Sequence, residues 1–328
     1  MRAIWYDRTG PAREVLEFGE IPAPVAGHGQ ALVRIRASGV NPSDVGIRGG
    51  AVRPMEYPRV IPNSDGAGVV EAVGPGVAKR WLGKRVWFYN GQRNGRAFGS
   101  CAEYIELDVD LLSELPDSVT FAEGATLGIP CMTAHRSLFL AGPVQGQTVL
   151  VTGGAGAVGH YAVQLAKWAG ATVIATVSSE PKAERARAGG ADHVIDYRRE
   201  DVAARVLSLT DGHGVHHVVD VDFGGNLAAT LPCLRQSGSL AFYASKGAPS
   251  PTLAAFALSH RNLSVHGVYL PVSPHEARRR AQADITRWIA TAPRSLSVAA
   301  RFPLEQCAAA HEAVEAGDKV GTVVVTVE

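Results

Sequence analysis

The sequence predicts an α/β protein in which a parallel α/β domain is inserted into an antiparallel β domain. Residues 1–120 contain short alternating runs of apolar and polar residues separated by Gly and Pro clusters, which is typical of antiparallel strands. Over residues 121–268, apolar strands alternate with helix-length amphipathic stretches, which indicates a parallel sheet with crossover helices. The apolar run 321–327 needs a sheet to join, so residues 269–328 are expected to return to the first domain.

Composition and charge limit the classes of function. The chain has 328 residues, which is enough for two domains. Its 32 Lys and Arg against 31 Asp and Glu give a net charge of +1, so no nucleic acid partner is expected. No apolar run approaches the roughly 18 residues of a membrane span, and the first residues lack a secretory signal, so we expect a cytoplasmic protein without a membrane partner. The four cysteines are widely spaced and are expected to be reduced thiols.

The α/β domain has six predicted strands with helices between them. The strands are expected at 148–152, 172–177, 193–195, 217–221, 239–243 and 263–267. The first helix, 158–169, has an apolar face of Val158, Ala162, Leu165 and Ala169 and ends before Gly170. Two later helices are expected around 275–292 and 306–316.

The strongest functional motif joins the first of these strands to the first helix. It reads Gly154-Ala155-Gly156-Ala157-Val158-Gly159. In this strand-turn-helix context the G-x-G-x-x-G pattern predicts a dinucleotide-binding site. We expect the first glycine to make the tight turn, the second to let the backbone approach a pyrophosphate, and the third to allow close packing of helix on strand. The helix N-terminus would then hold the pyrophosphate.

The end of the second strand indicates which dinucleotide binds. Sites that prefer NAD usually carry an acidic residue there to bind the ribose 2′-OH. This chain has Ser178 and Ser179, followed by Lys182, which suit a 2′-phosphate because an ammonium attracts it and a carboxylate would repel it. We therefore expect NADPH. The same serines also fit a cap for a helix beginning near Pro181, and both interpretations are compatible.

Four further motifs, together with the glycine loop, resemble a known family over nearly the whole chain. They are ASGVNPSD at 37–44, NSDGAGVV at 63–70, GSCAEY at 99–104 and VQLAK at 163–167. They are similar to the zinc-free medium-chain dehydrogenase/reductases of the quinone oxidoreductase (zeta-crystallin-like) family. The resemblance implies a GroES-like β-barrel catalytic domain, an inserted Rossmann domain that binds NADPH, and reduction of a quinone or an α,β-unsaturated carbonyl.

The resemblance also indicates an enzyme without a metal. Zinc-dependent relatives have a Cys at the position of Asn41, a His-Glu pair at the position of Ser64-Asp65, and a third ligand near Ile129. Their structural four-Cys lobe is absent here as well. The densest histidines are His213, His216 and His217, but adjacent strand residues point to opposite faces, so no metal is expected there.

Several site residues are implied by the resemblance alone. Lys182 and Tyr197 match positions that contact the adenosine 2′-phosphate. Asn41 and Thr133 match positions that line the nicotinamide end and are our catalytic candidates. Loops that border the cofactor are expected to contribute Tyr243, Ser245 and Val268.

Asn41 has a chemical reason to be catalytic. Hydride transfer to a conjugated carbonyl creates an oxyanion, and without zinc the stabilisation must come from hydrogen-bond donors such as the Asn41 amide. The alternative is that Asn41 only forms the turn before Pro42. One departure concerns the substrate side. Family members often have a Tyr shortly after an Arg-x-Gly turn, and this chain has none in the residues just after Arg48-Gly49-Gly50, although Tyr57 lies close and could substitute.

Two other functions stay open at this stage. One is an enoyl-thioester or 2-alkenal reductase on the same scaffold, and the other is an NADPH-binding protein without enzymatic activity. A homodimer is also expected, because the strand at 263–267 should lie at a sheet edge, and such edges are normally paired or covered. A monomer would instead need Tyr269-Leu270-Pro271 and the following helix to cover this edge.

Overall fold

A computed structural model of the protein describes residues 1–93, 95–317 and 319–328. Its strands are β1 (Arg2–Trp5), β2 (Glu17–Glu20), β3 (Gln30–Val40), β4 (Asp65–Val73), β5 (Arg85–Phe88), β6 (Tyr104–Asp108), β7 (Leu112–Glu114), β8 (Thr148–Val151), β9 (Thr172–Val177), β10 (His193–Asp196), β11 (Val215–Asp220), β12 (Leu234–Phe242), β13 (Ser264–Gly267), β14 (Val298–Pro303) and β15 (Thr322–Thr326).

The α-helices vary from one to about five turns. They are α1 (Ala12–Val15), α2 (Pro42–Arg48), α3 (Phe121–Gly124), α4 (Met132–Phe139), α5 (Ala157–Trp168), α6 (Glu180–Ala188), α7 (Val202–Leu209), α8 (Phe223–Cys233), α9 (Ala255–Ser259), α10 (His275–Thr291) and α11 (Cys307–Glu315). Within the described residues, no helix combines the length and the apolar character that crossing a bilayer requires.

The chain folds into two compact units. The β unit consists of Met1–Pro130, Gln282–Thr291 and Leu296–Glu328. The α/β unit consists of Cys131–Ala281 and Ala292–Ser295. The α/β fold class with an inserted domain is confirmed, whereas the domain boundaries at residues 120 and 268 stay predictions.

The β unit is built on a seven-stranded sheet. Its strand order is β14-β15-β3-β4-β5-β7, with β6 also paired to β3. All pairs are antiparallel except β14 with β15. The terminal strand β15 pairs with β3 in the middle of this sheet, whereas the return of residues 269–328 as a whole to the first domain stays a prediction. Apolar side chains of these strands, including Val33, Ile35 and Val325, are fully buried in one core.

The α/β unit is built on a six-stranded sheet of parallel strands. The order is β10-β9-β8-β11-β12-β13, and every neighbouring pair is parallel, as predicted. The chain runs outward from β8 to one side and then returns to the other side with β11. In such sheets ligands bind beyond the carboxyl ends of the strands where the order reverses, which here is the end of β8.

The strand β11 differs from the prediction. It begins at Val215, two residues earlier than expected, and its pairing with β12 shifts register between Val215 and His217. β12 likewise begins at Leu234, five residues earlier than expected. The irregularity arises from pairing between strands, which the local alternation of residues does not reveal.

We predict that the terminal strand is essential to the stability of the β unit. Val325 in β15 is completely buried, so Val325→Ala should lower the free energy of unfolding by about 2 kcal/mol through lost apolar burial and a residual cavity. Val320→Ala, at a position that is 43% exposed, is the matched control and should change little. Urea unfolding measures both. Equal effects of the two substitutions would contradict the prediction.

Candidate functional site

The glycine loop connects β8 to α5 in the α/β unit. Gly153, which was not part of the predicted motif, takes the left-handed conformation with φ of 62° and makes the turn that the sequence analysis gave to Gly154. Gly154 is needed for close approach instead, because a Cβ there would lie 2.7 Å from the Cβ of Ala175 in β9. A Cβ on Gly159 would lie 2.2 Å from the carbonyl oxygen of Gly153. The helix and the turn therefore pack as the motif predicts.

The start of α5 fits the phosphates of a dinucleotide. α5 begins at Ala157, and its N-cap residue Gly156 is exposed and has no capping side chain. The N–H groups of a first helical turn have no partner within the helix, and the helix dipole places partial positive charge there. A helix start that lacks a capping side chain and has Gly as its N-cap residue suits the binding of a pyrophosphate.

The end of β9 brings the predicted 2′-phosphate residues together. The Lys182 ammonium donates to the Ser178 hydroxyl over 3.0 Å. The backbone N–H of Tyr197 donates to the carbonyl of Val177 over 3.1 Å, so Tyr197 lies beside the same strand end, with half of its surface exposed. Ser179 is the N-cap residue of α6, but its hydroxyl makes no capping hydrogen bond. These side chains make the surface at the end of β9 polar and positively charged.

Arg185 belongs to the same region and was missed by the sequence analysis. Its Nε donates to the carbonyl of Ala155 in the glycine loop over 3.1 Å. Burial lowers the pKa of this guanidinium, which stays far above neutral pH for an arginine. Arg185 follows Lys182 by three positions in α6, and residues at that spacing share one helix face, which is the signal that identifies it.

A buried aspartate, Asp220, organises the carboxyl end of β11. Its carboxylate accepts hydrogen bonds from the hydroxyl of Thr152 at 2.9 Å, from the amide of Asn226 at 2.8 Å and from the hydroxyl of Thr230 at 3.3 Å. Thr152 immediately follows β8, so this network fixes the ends of two neighbouring strands beside the glycine loop. The sequence analysis did not identify it.

The three cofactor-border residues have different surroundings. Burial, with the Asp220 carboxylate nearby, raises the pKa of the Tyr243 phenol. The Ser245 hydroxyl accepts from the Gly224 N–H and donates to the Ala248 carbonyl, so it holds its own loop. Val268 is 9% exposed, and its N–H donates to the Phe242 carbonyl. Thr133, which is the second catalytic candidate and the one that lies in this unit, is buried in α4.

The β unit joins the three positions that correspond to zinc ligands in relatives. The amide nitrogen of Asn41 donates to Oδ2 of Asp65 over 2.7 Å, and the backbone N–H of Ile129 donates to the same oxygen over 2.8 Å. The other oxygen, Oδ1, has no hydrogen-bond partner among the described residues. It packs against Gly128, where a Cβ would lie 2.2 Å away.

A second buried carboxylate, Asp44, supports this group. Its oxygens accept from the backbone N–H of Asn41, the hydroxyl of Ser64 and Nη2 of Arg93, each at 2.9 Å. The side chains of Arg93 and Asp44 are 3% and 0% exposed, so they form a buried ion pair. Arg93 also donates to the Ser43 hydroxyl. The sequence analysis missed Arg93, which lies 49 positions from Asp44.

These residues do not fit a zinc ion. Zinc needs lone pairs from Cys, His or carboxylate, directed at one point. Here Asn41 and Ile129 present N–H donors, Ser64 donates its proton to Asp44, and Asp65 alone offers a free oxygen. Across the described part of the chain, no cluster of three or more His, Cys, Asp or Glu is arranged to hold a metal.

Tyr57, the tyrosine that follows the Arg48 turn in the sequence, packs in a small apolar cluster with Tyr6 and Val60.

Asp65 has an unusual protonation equilibrium. Burial raises its pKa to about 8, and the Asp44 carboxylate adds to this rise, while the hydrogen bonds from Asn41 and Ile129 and the positive charge of Arg93 oppose it. The ordinary value is 3.8, so the folded protein binds a proton here more tightly than the unfolded chain does. The stabilisation from this proton is complete below pH 3.8 and is lost as the pH rises towards 8.

We therefore predict that Asp65→Asn removes part of the pH dependence of stability. Asn cannot ionise, but its carbonyl oxygen can still accept from Asn41 and Ile129. The free energy of unfolding of the wild type, relative to the variant, should fall as the pH rises from about 4 to about 8. Urea unfolding at four pH values measures this difference. Asp117→Asn, at a 97% exposed side chain, is the control. A difference between wild type and Asp65→Asn that does not change with pH would contradict the prediction.

Comparison with known proteins agrees with these features. Residues 27–117 match the family model of the alcohol dehydrogenase GroES-like domain, and residues 157–285 match that of the zinc-binding dehydrogenases. The chain is 32% identical to a 2-haloacrylate reductase from Burkholderia sp, which covers 99% of this chain and 98% of the relative. It is 31% identical to the quinone oxidoreductase of Mus musculus, which covers 95% and 93%.

A solved structure is similar to this chain over its whole length. A mycobacterial protein complexed with NADPH superimposes with a TM-score of 0.85, is 32% identical, and covers 99% of this chain and all of its own. Because similarity at this level spans both units, the family predicted from the motifs is confirmed. The chain belongs to the zinc-free quinone oxidoreductase family of the medium-chain dehydrogenase/reductases.

Proposed function

We propose that the protein uses NADPH to reduce the conjugated double bond of a quinone or an α,β-unsaturated carbonyl compound. The observation that carries this proposal is the Asn41 amide, which replaces a metal ligand and is held by Asp65. NADPH, when bound, supplies the hydride. Hydride addition at the β-carbon would place the electrons of the double bond on the carbonyl oxygen, and a proton from water would then be taken up at the α-carbon, which completes the two-electron reduction.

Asn41 is the group that we assign to the developing oxyanion. A primary amide has two N–H donors, and Asp65 accepts one of them. Asp44 fixes the backbone of the same residue through its N–H. An amide that is already held in place loses no orientational freedom when it donates its second N–H to the substrate oxygen, and such preorganised donors stabilise the charge best.

The α/β unit supplies the residues for the cofactor. Free N–H groups at the start of α5 would hold the pyrophosphate, while Ser178, Lys182 and Tyr197 would surround the 2′-phosphate. The NADPH complex of the mycobacterial relative supports this assignment.

A second class of substrate has support from one relative. The 32% identical Burkholderia protein is a 2-haloacrylate reductase, whose substrate carries the double bond next to a carboxylate. Conjugated acids therefore belong in any substrate survey, beside the enoyl thioesters and 2-alkenals that the sequence leaves open. All of these substrates need the same hydride transfer. They differ in the group next to the double bond, and therefore in what must stabilise that group.

Steady-state oxidation of NADPH with a panel of substrates tests the proposal. The panel contains quinones, enones, 2-alkenals, enoyl thioesters and 2-chloroacrylate, each assayed with and without EDTA. We expect turnover of at least one quinone or enone, with no loss of rate after dialysis against the chelator, because Asn41 and Ile129 offer donors where zinc needs lone pairs. No turnover of any substrate by protein that binds NADPH, or a loss of rate that zinc restores, would refute the proposal.

We predict that Lys182 selects NADPH over NADH. Lys182→Ala should weaken binding of NADPH by about 1 to 3 kcal/mol, the range for a lost charge-assisted hydrogen bond, and leave NADH nearly unchanged. The wild type should bind NADPH at least about tenfold more tightly than NADH. Lys167→Ala, at the far end of α5, is a matched control. Fluorescence titration of the three proteins with each cofactor measures all six affinities, and equal losses for the two cofactors in Lys182→Ala would contradict the assignment.

We also propose that two copies of the chain pair through β13. This strand is at the edge of the parallel sheet, and Ser264 and Gly267 are exposed. Phe256, Tyr269 and Val272, which flank it in sequence, expose 73%, 58% and 73% of their surface. An open edge with apolar neighbours is normally covered by another chain. Light scattering should give twice the mass of 34.5 kDa at micromolar concentration. A mass that stays at 34.5 kDa at every concentration would favour the monomer.

A further inference from the structure

The α/β unit contains a cavity of about 540 Å³ that the proposed reaction does not use. Its walls come from the amino ends of β11, β12 and β13 and from the segment that follows α4. The glycine loop follows the carboxyl end of β8 in the same parallel sheet, so the cavity is at the opposite end of the sheet from the predicted cofactor phosphates.

The cavity is lined by hydrogen-bond donors and positive charge. Its polar lining includes Arg235, His216, His217, His266, Ser237, Ser239 and Ser264. None of the described residues that line it is Asp or Glu. Burial lowers the pKa of each of the three histidines, so Arg235 supplies the positive charge of this surface, and no carboxylate in the lining offsets it.

Two adjacent histidines at the start of β11, His216 and His217, line this cavity. The sequence predicts that their side chains point to opposite faces of the sheet. A cavity at the end of a sheet can be lined from both faces, so this stays a prediction. The register between β11 and β12 shifts at the same point, between Val215 and His217.

The side chains of Arg235 and His216 are in contact, but neither of the two contacting nitrogens accepts a hydrogen bond from the other. Nη1 of Arg235 lies 2.6 Å from Nε2 of His216. Nδ1 of His216 accepts from the backbone N–H of Thr148 over 3.1 Å, so a neutral ring carries its proton on Nε2. Two N–H donors then face each other. An oxygen that accepts from both would turn this unfavourable contact into two hydrogen bonds, and no acidic side chain in the lining provides one.

The floor of the cavity is a fixed row of side chains across three strands. His217, Ser239 and Ser264 are register partners on β11, β12 and β13. His217 is locked, because its Nδ1 lies 2.7 Å from the Ser239 hydroxyl and its Nε2 lies 2.8 Å from the Ser137 carbonyl. His266 follows Ser264 by two positions and therefore shares its face of the sheet. Nε2 of His217 therefore donates to the Ser137 carbonyl and the Ser239 hydroxyl donates to Nδ1, so Ser264 and His266 are the side chains of this floor that can donate to a ligand.

We propose that this cavity binds a small organic molecule through a phosphate group. A phosphate has three acceptor oxygens and up to two negative charges, which suits the donors Arg235, His216 and Ser264 better than a flat carboxylate does. The volume exceeds that of a phosphate ion alone and falls within the range for small-molecule sites. The remaining space adjoins the apolar side chains of Leu138, Pro143 and Val144, which suit the organic part.

The site is independent of the proposed function and of chain pairing. Its residues are remote in the sheet from Lys182 and the glycine loop, so failure of one assignment leaves the other intact. Pairing through β13 would use the backbone groups at its edge, whereas Ser264 and His266 extend from its face. Hydrogen bonds between paired edges would therefore not use these two side chains.

Calorimetric titration with phenyl phosphate tests the proposal, with benzoate as the carboxylate of similar shape. The proteins are the wild type, Arg235→Gln, Ser264→Ala, Lys182→Ala and the control Arg301→Gln, at an exposed position in β14. We expect phenyl phosphate to bind the wild type at least about tenfold more tightly than benzoate. Arg235→Gln should lower this affinity at least about tenfold, and Ser264→Ala several-fold, with Lys182→Ala and Arg301→Gln unchanged.

Histidine ring signals in NMR provide a second readout that a change elsewhere would not produce. Phenyl phosphate should shift the ring signals of His216 and His266, identified with His216→Asn and His266→Asn variants. Absence of binding at about 10 mM probe would overturn the proposal. So would binding that Lys182→Ala abolishes and Arg235→Gln leaves intact, because the probe would then occupy the predicted cofactor site.

Discussion

The buried carboxyl group of Asp65 is the constraint around which the β unit's functional residues are arranged. Through one oxygen it accepts from the Asn41 amide, 24 positions away, and from the Ile129 N–H, 64 positions away. A buried acid is costly unless its hydrogen bonds are made, so these three chain segments are held together. The absence of a side chain at Gly128 lets the last of them approach. The orientation of Asn41 follows from this arrangement.

The adjacent ion pair makes the arrangement rigid. Asp44 and Arg93 are both buried, and removing either partner would leave an uncompensated charge. Asp44 also holds the backbone of Asn41 and the hydroxyl of Ser64. The region where zinc-dependent relatives hold a metal is thus filled by a hydrogen-bonded network. A fixed amide donor then has the role that we propose for stabilising the substrate oxygen, in place of a Lewis acid.

The parts of the molecule that depend on local sequence were predictable. The glycine loop, the six parallel strands and the terminal strand follow from turn residues and hydrophobic periodicity, and most boundaries agree within two residues. The conformation of Gly153 was missed because the pattern of the motif does not reveal which glycine takes a positive φ. Arg185 was accessible from its spacing to Lys182 but was overlooked.

The parts that depend on distant pairing were not predictable from one sequence. Asp44 and Arg93 meet through the fold alone, and nothing near either residue indicates a buried ion pair. The early start of β12 and the register shift between β11 and β12 arise from the alignment of the two strands. The Asp220 network similarly joins residues from β8, β11 and α8.

The most direct test is the rate of hydride transfer in a single turnover by Asn41→Leu, measured with NADPH and a substrate that the wild type reduces. Loss of one preorganised oxyanion donor should slow this step about 100-fold to 1000-fold, with the affinity for NADPH unchanged. An unchanged rate of hydride transfer in this variant would contradict the role that we assign to Asn41 and, with it, the proposed mechanism.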